Sequence, residues 1–342
     1  MTRYLHILLL VCCLAAALGA APLVSDDFDD SIDRGLNLLY RGDYEPASTV
    51  FDSFIAAHPQ NPAGWFFTAG LYQVLMTDFE SDAWAKQFNL HLDSALAIAD
   101  RAVARNPRDA WAHFIRGGTY GYLTARDGRS GSYVAALAHG LSALSDFKRA
   151  AALDPGLYDS YLGIGSYHYF RTRAVSILKW LPFIGDARDK GIEEIKLAVQ
   201  KGRYSGVMAR NGLVWIYIDY GKHDRALEMA RGLEEEFPAN PFFFWARPEV
   251  YWRTKRWAEA AEAYRRLLTL IESRPVYSNY NRVLVKHRLA KSLLESGRPR
   301  EAAQEAQEAL NIPSDKAMLK KQVYERRLCR EIIQQSGKKL KP

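Results

Sequence analysis

The sequence predicts an all-α fold: a right-handed α-solenoid of about seven helical hairpins closed by a C-terminal helix. Three observations lead there. Small and bulky residues return at fixed offsets seven times between residues 30 and 314, and spacings of three and four put them on one helical stripe. Prolines fall where second helices should stop, because proline cannot continue the hydrogen-bond ladder. The 342 residues, 48% apolar and 25% charged, have a folded composition but exceed one ordinary core, which an array accommodates.

Residues 1–20 read as a signal peptide, with Arg3 at the start, an apolar run from Leu5 to Leu18, and small residues after it. A run of about 14 is short for a permanent membrane span. Cys12 and Cys13 lie inside it, so Cys329 is the one cysteine expected to remain and no internal disulfide is expected.

The first pair of helices carries Gly35 and Leu38, then Gly42-Asp43-Tyr44-Glu45, then Ala47, Phe51, Phe54 and Pro59. Second helices repeat this as Ala95/Ala99/Ala102/Pro107, Ala143/Phe147/Ala150/Pro155, Gly191/Ile195/Ala198, Ala226/Ala230/Leu233/Pro238, Ala260/Tyr264/Leu267 and Ala302/Ala306/Ala309. First helices answer with Ala69–Tyr72, Gly117–Tyr120, Gly165–His168, Val214–Tyr217 and Ala290–Leu293. Pro248–Tyr251 departs from the pattern, and Pro248 should shorten or kink its helix.

From the small residue of the first helix to that of the second is 12 positions in hairpins one, five, six and seven, as from 35 to 47. In hairpins two, three and four it is 26, as from 69 to 95, an excess of 14 at the turn. Fourteen residues is close to four helical turns, so each helix could gain about two turns, ~10 Å. Residues 62–202 should then form three long hairpins, a ledge presenting Trp84, Phe88, Trp180 and Phe183. Residues 315–342 read as one amphipathic capping helix with a basic tail, nine basic residues against three acidic. That tail accounts for nearly all of the net +7, so the array itself is close to neutral and no nucleic-acid partner is expected.

The Gly42-Asp43-Tyr44-Glu45 turn, the recurrent small second-helix residues and the closing proline resemble the tetratricopeptide repeat. The resemblance implies that first helices line a concave surface on which a partner lies. By register that surface holds Phe66, Trp111, Phe114, Tyr122, Tyr169, Phe170, Trp215, Phe242, Trp245 and Trp252. The carboxylate-binding clamp of some family members is not carried over, since Gly70, Gly118 and Gly121 stand among aromatics here, and His287, Arg288 and Lys291 are too local to rebuild it. An aromatic lining with glycines points to a protein or peptide partner, or to an apolar small ligand; the other reading is that the long hairpins fold back and fill the groove themselves.

Motifs of catalysis, phosphate binding and metal ligation are missing from the sequence. The expectation is therefore a non-catalytic, exported scaffold, periplasmic or secreted, without cofactor or metal. A transporter-accessory or ligand-capturing role is the alternative, and contact with a membrane surface through the insert or the tail is a lesser one.

Overall fold

The computed structural model describes residues 26–175 and 185–340. The predicted signal peptide, Trp180 and Phe183 lie outside the described residues. Within them the chain forms seven hairpins, followed by a two-part C-terminal helix. The hairpins are α1 (Asp26–Arg41) with α2 (Tyr44–Ala57), α3 (Pro62–Asp78) with α4 (Ala85–Arg105), α5 (Ala110–Ser130) with α6 (Tyr133–Leu153), and α7 (Ser160–Val175) with α8 (Arg188–Lys201). Then come α9 (Gly206–Asp219) with α10 (His223–Glu236), α11 (Ala246–Arg253) with α12 (Trp257–Glu272), and α13 (Asn279–Glu295) with α14 (Pro299–Asn311).

The repeating small residues do what their spacing requires. Ala47, Ala95, Ala226, Ala260 and Ala302 are all completely buried between paired helices. In the fourth pair two glycines face each other: a Cβ on Gly165 would stand 2.5 Å from the Gly191 carbonyl oxygen. Pro248 sits in the first turn of α11, which is cut to eight residues and preceded by a 3-10 turn at Pro241–Phe243.

Every described hairpin turn is built alike. One residue takes a left-handed conformation (Gly42, Glu80, Gly131, Gly221, Lys255 or Gly297). The next amide donates back across the end of the first helix, as Asp43 N–H does to Leu38 O at 3.0 Å and Arg298 N–H to Leu293 O at 2.8 Å. This marks where each insertion went. The left-handed residue follows the signature residue by seven positions in hairpins one, five, six and seven, by 11 in hairpin two (69 to 80) and by 14 in hairpin three (117 to 131). Hairpin three thus lengthens both helices to 21 residues, as expected. Hairpin two lengthens mainly α4, and in hairpin four α8 is of ordinary length while residues 176–184 lie outside the described residues. Within the described residues the expected ledge is uneven: hairpin three extends both helices and hairpin two mainly the second.

The C-terminal segment differs as well. It breaks at Gln322 into α15 (Lys316–Lys321) and α16 (Val323–Lys339). Gln322 is fully buried, its side-chain oxygen accepting from Arg326 and Ser314. α16 packs on α13 and α14 and covers the last hairpin.

Successive first helices pack on one another more closely than second helices do, so the first helices occupy the inside of the curve. The curve closes. The first two hairpins lie on the connections between hairpins four to seven: Asn240 donates to Tyr40 O at 3.0 Å, Arg274 to Gly42 O at 3.2 Å, and Asn281 to Asp78 O at 2.5 Å. Arg274 also pairs with Asp78 Oδ2 at 2.5 Å, which accepts from Tyr44 OH at 2.8 Å. Arg203 bridges to Asp29 and Asp33, and the hydroxyl of Tyr204 donates to Asp29.

Candidate functional site

The expected groove residues fall into two groups. Closure carries Phe28 of α1 and Tyr204 into the inner face, where Phe28–Trp111, Trp111–Tyr204 and Trp111–Phe114 ring centroids are 5.3, 5.2 and 5.2 Å apart. Phe66 meets Phe114 edge-on and Tyr122 at a tilt, and Tyr122 meets Phe88 of the insert edge-on. Phe66, Phe114, Tyr169 and Phe88 are buried, and Trp84, Trp111 and Tyr122 are half-buried against the core. Burial lifts the Tyr122 phenol to about 12. The glycines have internal reasons: Gly118 faces the Phe66 ring and Gly70 the Tyr122 hydroxyl, with room for no Cβ. The inner face of hairpins one to three is therefore core, filled chiefly by the first hairpin and the loop at residue 204.

From hairpin four onward the inner face opens. Phe170 and Trp215 are 50% and 40% exposed, and Trp245 and Trp252 are half-buried. On each following helix the partly exposed residues recur at four and three: Trp245/Glu249/Trp252 on α11, Leu284/Arg288/Lys291 on α13, Tyr324/Leu328/Glu331/Gln335 on α16. Their faces enclose a cleft of about 350 Å³ between Trp252, Leu284, His287, Leu328 and Ile332, within the range of ligand pockets. A larger hollow of about 450 Å³ lies between α1 and α2, walled by short polar side chains such as Ser31, Thr49 and Ser53.

The charges around the cleft are nearly all paired. Arg288 donates to Glu249 Oε2 at 2.8 Å and to the Tyr264 oxygen at 3.3 Å, with its guanidinium carbon 4.7 Å from the Trp252 ring centre. Lys291 meets Glu295 at 2.5 Å, and Glu331 meets Arg327 at 2.7 Å. His287 is buried, and burial, helped by Arg288 and Lys291, pushes its imidazole down to about 4, so it is neutral at neutral pH. Sequence spacing singled out Trp252, His287, Arg288 and Lys291 but not the residues of α16, which it assigned to covering the last hairpin. The spacing 324, 328, 331, 335 was the signal available.

The remaining histidines of the first helices are structural. His113 bridges Asp146 at 2.8 Å and Pro107 O at 3.2 Å, and His168 meets Glu194 at 2.5 Å. Among the described residues, no group of three or more His, Cys, Asp or Glu is placed to hold a metal ion. Nor is any described helix long and apolar enough to cross a membrane.

Comparison with known proteins bears on the same elements. A tetratricopeptide repeat family model matches residues 32–72 and 197–275. These are the first hairpin with most of α3, and the stretch from the end of α8 through α12; the unmatched interval between them contains the three insertions. No curated protein matches the sequence. Among solved structures, the chain is similar to a tetratricopeptide repeat protein from Parabacteroides merdae ATCC 43184, at 15% identity over 92% of this chain and 100% of that one, TM-score 0.39. It is similar to the APC/C hetero-tetramer Cut9–Hcn1, at 14% identity over 89% of this chain and 51% of that one, TM-score 0.51. It is also similar to PilW, a type IV pilus biogenesis factor, at 15% identity over 72% and 97%, TM-score 0.47. Of the three, only the Cut9–Hcn1 likeness bears on the fold, and on nothing beyond it. With its signature residues meeting inside seven paired helices and the family model lying on several of those pairs, the chain carries tetratricopeptide repeats over residues 32–72 and 197–275.

Proposed function

We propose that the protein is a non-catalytic, exported scaffold, and that it holds a segment of a protein partner on the inner face of hairpins six and seven and α16. One observation carries this reading: the inner face is filled by the chain itself in hairpins one to three and left open around Trp252, Leu284 and Leu328. The cleft supplies apolar walls with a charged rim, the arrangement that anchors a peptide side chain. Phe170 and Trp215 extend the apolar line along the same face. In this proposal Trp245 and Trp252 are contact residues, whereas Phe66, Phe114 and Tyr169 hold the fold. Export rests on the leader-like residues 1–20.

Selection of random peptides displayed on phage against the immobilised full chain tests this. Wild type should enrich a related set of sequences whose binding falls at least tenfold in Leu284→Glu. Peptides that bind Leu284→Glu as well as wild type, or no enrichment at all, would overturn it.

A further inference from the structure

Two buried polar atoms among the cleft-lining residues have no hydrogen-bond partner: His287 Nδ1 and Glu325 Oε2. Neither is a rim atom in contact with bulk water, and a buried polar atom left without a partner is costly, so native proteins seldom keep one without a use. The other charges lining the cleft are matched: Arg288 by Glu249, Lys291 by Glu295, Glu331 by Arg327. Glu325 alone among the described cleft charges has no ion pair, and it projects from α16 across the cleft from α13. The unmet demand is therefore for hydrogen-bond donors carrying positive charge. An anionic ligand would find both nearby cations already neutralised.

We propose that the cleft receives a guanidinium group, the arginine side chain of the partner, with its donors directed to Glu325 Oε2 and His287 Nδ1. This rests on the reading of the cleft as the partner site. A planar fork with five N–H donors can serve two acceptors on facing helices at once, which a single ammonium does less well. The aliphatic stem of the arginine lies along Leu284 and Leu328, and its charge replaces the missing partner of Glu325. Neutral His287 accepts at one ring nitrogen, a role that protonation would abolish.

The test uses the full chain and small probes, read by saturation-transfer NMR. N-acetyl-argininamide should show several-fold stronger transfer than N-acetyl-citrullinamide, which keeps the shape and loses the charge. Glu325→Gln should reduce the arginine signal at least fivefold, while Glu259→Gln, which breaks a surface pair with Arg256 away from the cleft, should leave it unchanged. Circular dichroism and melting should show Glu325→Gln folded and no less stable than wild type. Equal signals from the two probes, an arginine signal that ignores Glu325→Gln, or a stronger signal from N-acetyl-glutamate amide would overturn the proposal. The two readings fail differently. Displayed peptides that need Leu284 but lack a basic residue would sink the arginine and keep the cleft. Arginine binding with no peptide enrichment would sink the scaffold reading.

Discussion

Lys255 takes the left-handed backbone that glycine holds at the equivalent turns of hairpins one, five and seven, with φ +56°. A side chain there is strained, and Lys255 is exposed, so Lys255→Gly should raise stability by about 1 kcal/mol in chemical denaturation. Gly165→Ala should do the reverse. The added methyl would stand 2.5 Å from the Gly191 carbonyl, and separating two helices to admit it should cost about 3 kcal/mol. His287 sets a pH dependence of definite sign. Unfolded, its imidazole takes a proton near pH 6.5; folded, it resists until about 4. Its contribution is thus complete above pH 6.5 and declines as the pH falls from there to 4. Wild type should lose on the order of 3 kcal/mol more than His287→Gln between pH 7 and 4, measured by urea unfolding at each pH. The signature pairs were legible because three- and four-residue spacing fixes which side chains meet inside one hairpin. Gly70 and Gly118 were misread because the rings they admit, Tyr122 and Phe66, come from a neighbouring hairpin.

Hairpins tolerate insertion because the contact that defines them lies below the turn. Hairpin three carries 14 extra residues and keeps Gly117 against Phe147, while the same turn geometry re-forms seven residues further out at Gly131. Nothing in the length of an insert says how it divides between two helices, which is why the three long hairpins looked equivalent and are not. Connections between hairpins carry more of the energetics. Buried Asp159 accepts from the backbone N–H groups of Arg203, Tyr204 and Ser205, the last at 2.7 Å, and holds the loop that delivers Tyr204 to the interior. Asp159→Ala strands these donors and should cost about 3 kcal/mol, with Tyr204 and Trp111 gaining access to a fluorescence quencher such as acrylamide. α16 shows the limit of local reading in another way. Its amphipathic face announced that it would cover α13 and α14, but not that its other edge would wall a cleft.

At the scale of the molecule, the curve of the array decides which inner-face residues are core and which are surface. Closure depends on Asp78, which meets Tyr44, Arg274 and Asn281, residues up to 203 positions away. Side-chain spacing carries no record of such contacts, so the sequence supported seven hairpins and an inward aromatic face without showing that the first hairpin would occupy it. Asp78→Ala should leave the Arg274 guanidinium buried without its carboxylate and lower stability by about 3 kcal/mol, the cost of breaking a buried pair from one side. The central claim is that the array closes on itself, sealing its first half and leaving the last hairpins open. Hydrogen exchange of the intact protein, resolved by fragment, tests this most directly. A terminal hairpin stacked on one neighbour alone frays and exchanges first. The closed array predicts instead that amides of residues 28–41 exchange as slowly as those of α9 in the middle of the chain. Exchange of that segment orders of magnitude faster than α9 would contradict it.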